Sequence, residues 1–215
     1  MEPIAYWSHV ILGFAAAAAA IVALAVGKGT RWHRWAGWTY VFGMVVAALT
    51  TLAFMPGNFR PLAVIQACTA LYGLGMALLA LNPQWSWTRL AEWNMFAFLL
   101  LIMAGVAVTG TSLALAGRPT ALGPLAFFII LTVFAVLDWR YLHAGDVGRL
   151  DRYKRHALRM GLVVSETVRA PLLTFANDLS IPFPVIVFGS FLLVPVVYVA
   201  FTPGLRLSAI PVRRI

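Results

Sequence analysis

RYKRHALRMGLVVSETVRAPLLTFAND, residues Arg152 to Asp178, is the stretch on which the reading of this chain turns. It begins as a basic face and continues as an apolar run of membrane length, with Glu166 and Arg169 set inside that run. Charge in hydrocarbon is expensive, so ionisable residues in a spanning segment pair with one another or turn towards the bundle interior. Glu166 and Arg169 stand three residues apart, a spacing at which side chains on one helix meet. The segment therefore predicts a membrane helix whose charged side faces other helices.

The remaining sequence supplies those helices. Of the 215 residues 62% are hydrophobic and 11% charged, with mean hydropathy +0.88, whereas a soluble domain carries about 25% charged residues. Apolar runs long enough to cross a bilayer core, which takes about 20 helical residues, lie near Tyr6–Gly27, Trp35–Met55, Leu62–Leu81, Trp93–Ala116, Leu122–Tyr141, Met160–Ala176 and Pro182–Phe201. Pro56-Gly57-Asn58, Asn82-Pro83, Gly117-Arg118-Pro119 and Asn177-Asp178 mark breaks between them. In lipid the backbone satisfies its own hydrogen bonds, so these runs are helices. The expected fold class is all-α: one polytopic transmembrane bundle over residues 1–215, with seven spans.

Charge placement predicts orientation. The first, third and fifth connections and the tail hold 13 of the 16 Lys and Arg, from Lys28 and Arg31 to Arg213 and Arg214, whereas the second, fourth and sixth hold only Arg60 and Arg118. Basic loops stay on the cytoplasmic side, which sets the N-terminus outside and the C-terminus inside a bacterial inner membrane. The formal net charge of +9 thus reads as orientation and attraction to anionic lipid, with no nucleic-acid partner. No Lys or Arg precedes the first apolar run, so the Ala15–Ala20 tract is expected to be helix and not a signal-peptide cleavage region. Trp32, Trp35 and Trp38, and Trp85, Trp87 and Trp93, are expected at the headgroup level. Gly73, Gly75, Gly105 and Gly110 are expected where helices approach closely. The single Cys68 excludes a disulfide within the chain.

The chemistry-bearing residues are few. His9 lies near the outer face, and His33, His143 and His156 on the basic side. Any of the four also serves as an ordinary interfacial side chain. His33 and His156 each stand at a helix start in this reading, and two neutral imidazoles on facing helices hold a haem iron axially. Arg34, Arg155 and Arg159 then sit where they pair with propionates. The same arginines are equally explained by anionic lipid. The pair Glu166 and Arg169 reads either as a mutually neutralising lock or as part of a transport or proton-relay path, with His156, Arg159, Val163, Glu166 and Ala170 on one helical stripe. Asp138 pairs with Arg140 or with an arginine of helix six. There is no phosphate loop, no HExxH, no set of His boxes and no lysine in helix seven for a retinal Schiff base.

His9-x-x-x-Gly13 followed by His33-Arg34-x-x-Gly37-x-x-Tyr40, with Gly145-Asp146, Arg155-His156 and Arg159-Met160 later, resembles a bacterial membrane-protein family catalogued as domain of unknown function 2306. The stretch between Asp146 and Arg155 is an insertion relative to that pattern. The family implies a membrane fold and no particular activity. His9 and His33 also resemble haem-ligand positions of inner-membrane b-type cytochromes, which would imply haem b exchanging electrons with quinone. Three functions follow as expectations: a non-catalytic accessory or docking subunit of a larger membrane complex, which the residues favour; a haem b redox protein; and a small proton-coupled transporter.

Overall fold

The computed structural model describes residues 3–54, 59–144, 148–176 and 178–207. Among them every regular element is helical: α1 Pro3–Ala25, α2 Arg31–Ala53, α3 Pro61–Leu81, α4 Thr88–Leu115, a 3₁₀ turn Pro119–Ala121, α5 Leu122–His143, α6 Arg149–Thr174, α7 Phe183–Phe191 and α8 Leu193–Leu207. Five stretches are long and apolar enough to cross a membrane: α2, α3, α4, α5 and the stretch Phe183–Phe201 formed by α7 with α8. α1 contributes a shorter apolar stretch, His9–Ala25. The Pro56-Gly57-Asn58 turn, Gly145-Asp146, Asn177, Arg213 and Arg214 lie outside the described residues.

Local chemistry sets the ends. Thr30 accepts a hydrogen bond from the His33 amide at 3.3 Å and starts α2, after a turn in which Gly29 takes φ 77°. Pro61, which has no amide hydrogen to lose, opens α3. α4 ends in a Schellman motif: Gly117 at φ 64° lets its own amide reach Ala114 and the Arg118 amide reach Leu113, each at 2.9 Å. The break between α7 and α8 falls at Leu192, where the Pro195 ring opposes the carbonyl of Phe191 four residues earlier.

Two boundaries differ from expectation. α4 begins at Thr88 and not near Trp93, and α6 begins at Arg149 and not near Met160. Apolar content located those starts in the sequence. The helices continue further because their polar turns find partners in protein, so loss of apolarity does not end them.

α6 occupies the middle of the bundle. It packs against α1, α3, α7 and α8, while the pairs α1–α2, α2–α3, α3–α4, α4–α5 and α5–α7 pack against each other around it. Its close approaches to α3 and α8 are made through glycines: a side chain at Gly73 would stand 2.7 Å from Val163, and one at Gly161 would stand 3.1 Å from the Val194 carbonyl. The Ala15–Ala20 tract is helix, with Ala16 against Gly43 of α2. Of the other expected approach points, Gly75 faces Met95 and Gly110 faces Pro124, whereas Gly105 meets nothing within 4 Å.

Gly161→Val should destabilise the protein by about 1–3 kcal/mol, because the added methyls meet backbone and cannot be accommodated. Gly189→Ala, where nothing lies within 4 Å, should be neutral or stabilise by about 0.5–1 kcal/mol. Thermal unfolding in detergent compares the two.

Candidate functional site

Three polar sites are built on α6, two of ions and one of imidazoles. The first joins four helices. Asp138 of α5, fully buried, accepts from the Tyr72 hydroxyl of α3 and from the guanidinium groups of Arg155 and Arg159. Arg155 extends to Glu92 of α4 at 2.5 Å. Its guanidinium also lies 3.6 Å from the Tyr141 ring, and that of Arg159 lies 4.3 Å from the Phe134 ring. Both carboxylates and both guanidiniums are buried, so two positive and two negative charges cancel out of water. At the edge the half-exposed Arg89 approaches Glu92 at 3.6 Å and donates to the Leu142 carbonyl. The donors Arg155 Nε, Arg159 Nε and Arg159 Nη1 have no partner among the described residues.

The second site lies two turns further along α6. Arg169 Nη1 donates to both oxygens of Glu166, at 2.9 and 3.0 Å. Its Nε donates to Ser190 of α7 at 2.7 Å and its Nη2 to Ser165 at 3.4 Å. The guanidinium lies 3.8 Å from the Phe191 ring and 4.6 Å from the Phe127 ring. Asp138, expected to pair with Arg140 or with an arginine of helix six, meets Arg155 and Arg159 of α6 in the first site instead of Arg169.

The third site is a cavity of about 270 Å³ among α1, α2, α3, α6 and α8. His33, Arg34 and His156 all line it. His33 Nδ1 lies 3.0 Å from the Ala23 carbonyl and His156 Nδ1 lies 3.0 Å from the Ala77 carbonyl. A carbonyl only accepts, so each Nδ1 carries the hydrogen. Lys28 shares the task at the end of α1, donating to Ala23 at 2.9 Å and Leu24 at 2.7 Å, and partial burial lowers its pKa. Arg155 and Arg159, expected beside the histidines, point away into the first site. His156 is also not at a helix start, since α6 opens at Arg149.

The other histidines are structural. His9 reaches Thr50 at 3.0 Å and ties α1 to α2. His143 donates to Trp139 at 2.8 Å within a cluster that includes Trp93. Among the described residues no group of three His, Cys, Asp or Glu side chains forms a metal site.

The arrangement lends a bis-imidazole haem no support. Arg155 and Arg159, expected to pair with its propionates, are occupied by Glu92 and Asp138. The proton stripe is interrupted as well. Val163 is fully buried between Arg159 and Glu166, which stand seven residues, or roughly 10 Å, apart along the axis. Glu92 is not legible from apolar content, which starts helix four at Trp93 and places Glu92 in the connection before it. A lone carboxylate in the first turn of an apolar helix is the signal that would have found it.

Comparison of the chain with protein-family models, with curated proteins and with solved structures finds no match.

Glu166→Gln or Arg169→Gln alone should destabilise by about 3–5 kcal/mol, since each leaves a buried charge unpaired. Glu166→Gln combined with Arg169→Gln should cost less than the larger single change. Unfolding of the four proteins under one condition reads the coupling, and additive losses would argue against a pair.

Proposed function

We infer that the chain is a seven-span bacterial inner-membrane protein, N-terminus outside and C-terminus cytoplasmic, that serves as a non-catalytic accessory subunit of a larger membrane assembly. The single observation that carries the docking role is the outer face of α4. Ala97, Leu101, Ala104, Val108, Thr111 and Leu115 are all exposed, and their spacing of four and three residues is that of a helix-packing seam. Small side chains recur there every seven residues and alternate with Leu101, Val108 and Leu115, which are 70%, 68% and 85% exposed. Only 17% of the α4 apolar window is buried, against 56% for α3. In lipid, small residues at such spacing admit a second helix closely. The occupant is a transmembrane helix of another subunit.

Seven spans rest on the five long apolar helices, on the apolar stretch of α1, and on α6, whose charges are neutralised by its neighbours. The proton-coupled alternative loses ground because Glu166, Asp138 and Glu92 each have a fixed cationic partner. Membership of the membrane-protein family of unknown function is proposed with it and names no activity.

Tagged protein extracted in mild detergent should elute with another membrane protein at fixed stoichiometry. Ala104→Phe should abolish that association while the unfolding of the chain itself shifts by less than about 0.5 kcal/mol, as for exposed sites. Recovery of the chain alone, or only as copies of itself, would overturn the accessory reading. Reporter fusions after Arg60 and after Arg149 should report opposite sides of the membrane; the same side for both would overturn the span order.

A further inference from the structure

The cavity beside α6 carries an inference independent of the α4 surface. His33 and His156 come from different helices, 123 positions apart in the chain, and line one space. Each imidazole has its Nδ1 hydrogen committed to a main-chain carbonyl, Ala23 for one and Ala77 for the other, both at 3.0 Å. That contact fixes the tautomer, so in the neutral ring Nε2 is a bare acceptor. Neither Nε2 has a hydrogen-bond partner among the described residues, and neither is among the enclosed atoms lacking one.

The surroundings narrow what the two nitrogens would accept from. Leu78, Met160, Val164, Val197 and Phe201 give the cavity apolar walls. The Tyr40 hydroxyl lies 2.8 Å from the Thr167 hydroxyl, which also lies 2.9 Å from the Val163 carbonyl. The Tyr40 hydroxyl is thus engaged with Thr167. The Asn82 amide donates to the Leu78 carbonyl at 2.8 Å and is likewise engaged. The cavity thus combines two acceptors with an apolar interior. A cation would need more ligands than two imidazoles, and no third ligating side chain joins them among the described residues. A ligand that is apolar over most of its surface and donates O–H at one end meets both requirements.

We propose that this cavity binds a membrane-soluble molecule, apolar over most of its surface, through hydroxyl groups that donate to Nε2 of His33 and His156. The hydroxyls belong either to the ring of a free phenol or hydroquinone or to the glycerol headgroup of a phospholipid. Arg34, exposed at the cavity edge, would serve the phosphate in the second case and has no role in the first. The binding involves no electron transfer and no bond making.

The test uses the full chain in detergent micelles, with histidine rings labelled with ¹⁵N. Three probes are titrated: a decyl hydroquinone, its dimethyl ether, and a short-chain phosphatidylglycerol. The proposal expects saturable binding of the hydroquinone or of the phosphatidylglycerol, with the Nε2 signals of His33 and His156 moving and those of His9 unmoved. The ether has the same body but no hydrogen to donate, and should not move them. His33→Phe and His156→Phe should each weaken binding about tenfold, the equivalent of one hydrogen bond. Should either variant fail to fold, the ether comparison on the unaltered chain decides alone. Loss of binding in Arg34→Gln identifies the phospholipid source, and retention identifies the free hydroxyl compound. Ether binding as tight as that of the hydroquinone, binding that leaves both Nε2 signals unmoved, or no binding of either hydroxyl probe overturns the proposal.

Discussion

A charge enclosed by apolar helices must meet its counter-charge inside the bundle, and that requirement governs where α6 lies. Arg155, Arg159, Glu166 and Arg169 are all buried on one helix. Exposed to lipid, each would carry a penalty of several kcal/mol. Enclosed with partners, they convert the same penalty into specificity, because removal of one partner leaves the other stranded. The partners are spread over the surrounding helices: Glu92 on α4, Asp138 on α5 and Ser190 on α7. α6 can therefore occupy only the position from which all of them are reached. The neighbours supply the reciprocal condition, with a single acid on each of α4 and α5 in otherwise apolar sequence.

Helical periodicity then separates the sites. Arg155 and Arg159, four residues apart, share the face towards α4 and α5. His156, Met160 and Val164 repeat the same interval one residue later, so they turn about 100° away and line the cavity shared with α1, α2 and α8. Adjacent residues in Arg155-His156 therefore serve unrelated environments, one ionic and dry, the other apolar with two imidazole acceptors. Between the two ion sites, Val163 fills the close approach to Gly73. That packing isolates them and leaves a structural role for each.

The parts of this architecture that follow from periodicity and hydropathy were legible in the sequence. The all-helical class, the Gly117 stop, the Glu166 and Arg169 pair and the inward-facing Asp138 each rest on spacing within one helix or on a residue that cannot face lipid. What was not legible depends on contacts between helices. Nothing in the spacing of Arg155 distinguishes a lipid or propionate partner from Glu92, 63 positions earlier. The start of α6 was obscure for the same reason: its first turns look like a solvated loop until the acids of α4 and α5 are seen beside them. The outward seam on α4 became visible only once the buried face of that helix was known.

The histidines illustrate how one side chain meets two demands. At the end of α1 the carbonyls have no further turn to bond, and His33 together with Lys28 supplies donors to them. His156 donates in the same way to the Ala77 carbonyl near the end of α3. That service uses Nδ1 alone. An asparagine or lysine would satisfy a carbonyl equally well, but neither would leave a second, oppositely directed acceptor on a rigid ring. The structural contact thus prepares the free nitrogen: by holding the hydrogen on Nδ1 and the ring in one orientation, it removes the tautomeric and rotational freedom that a loosely held imidazole would lose on binding. Two helix ends tied down this way, on either side of one apolar space, form a preorganised pair of acceptors without any residue held there for binding alone.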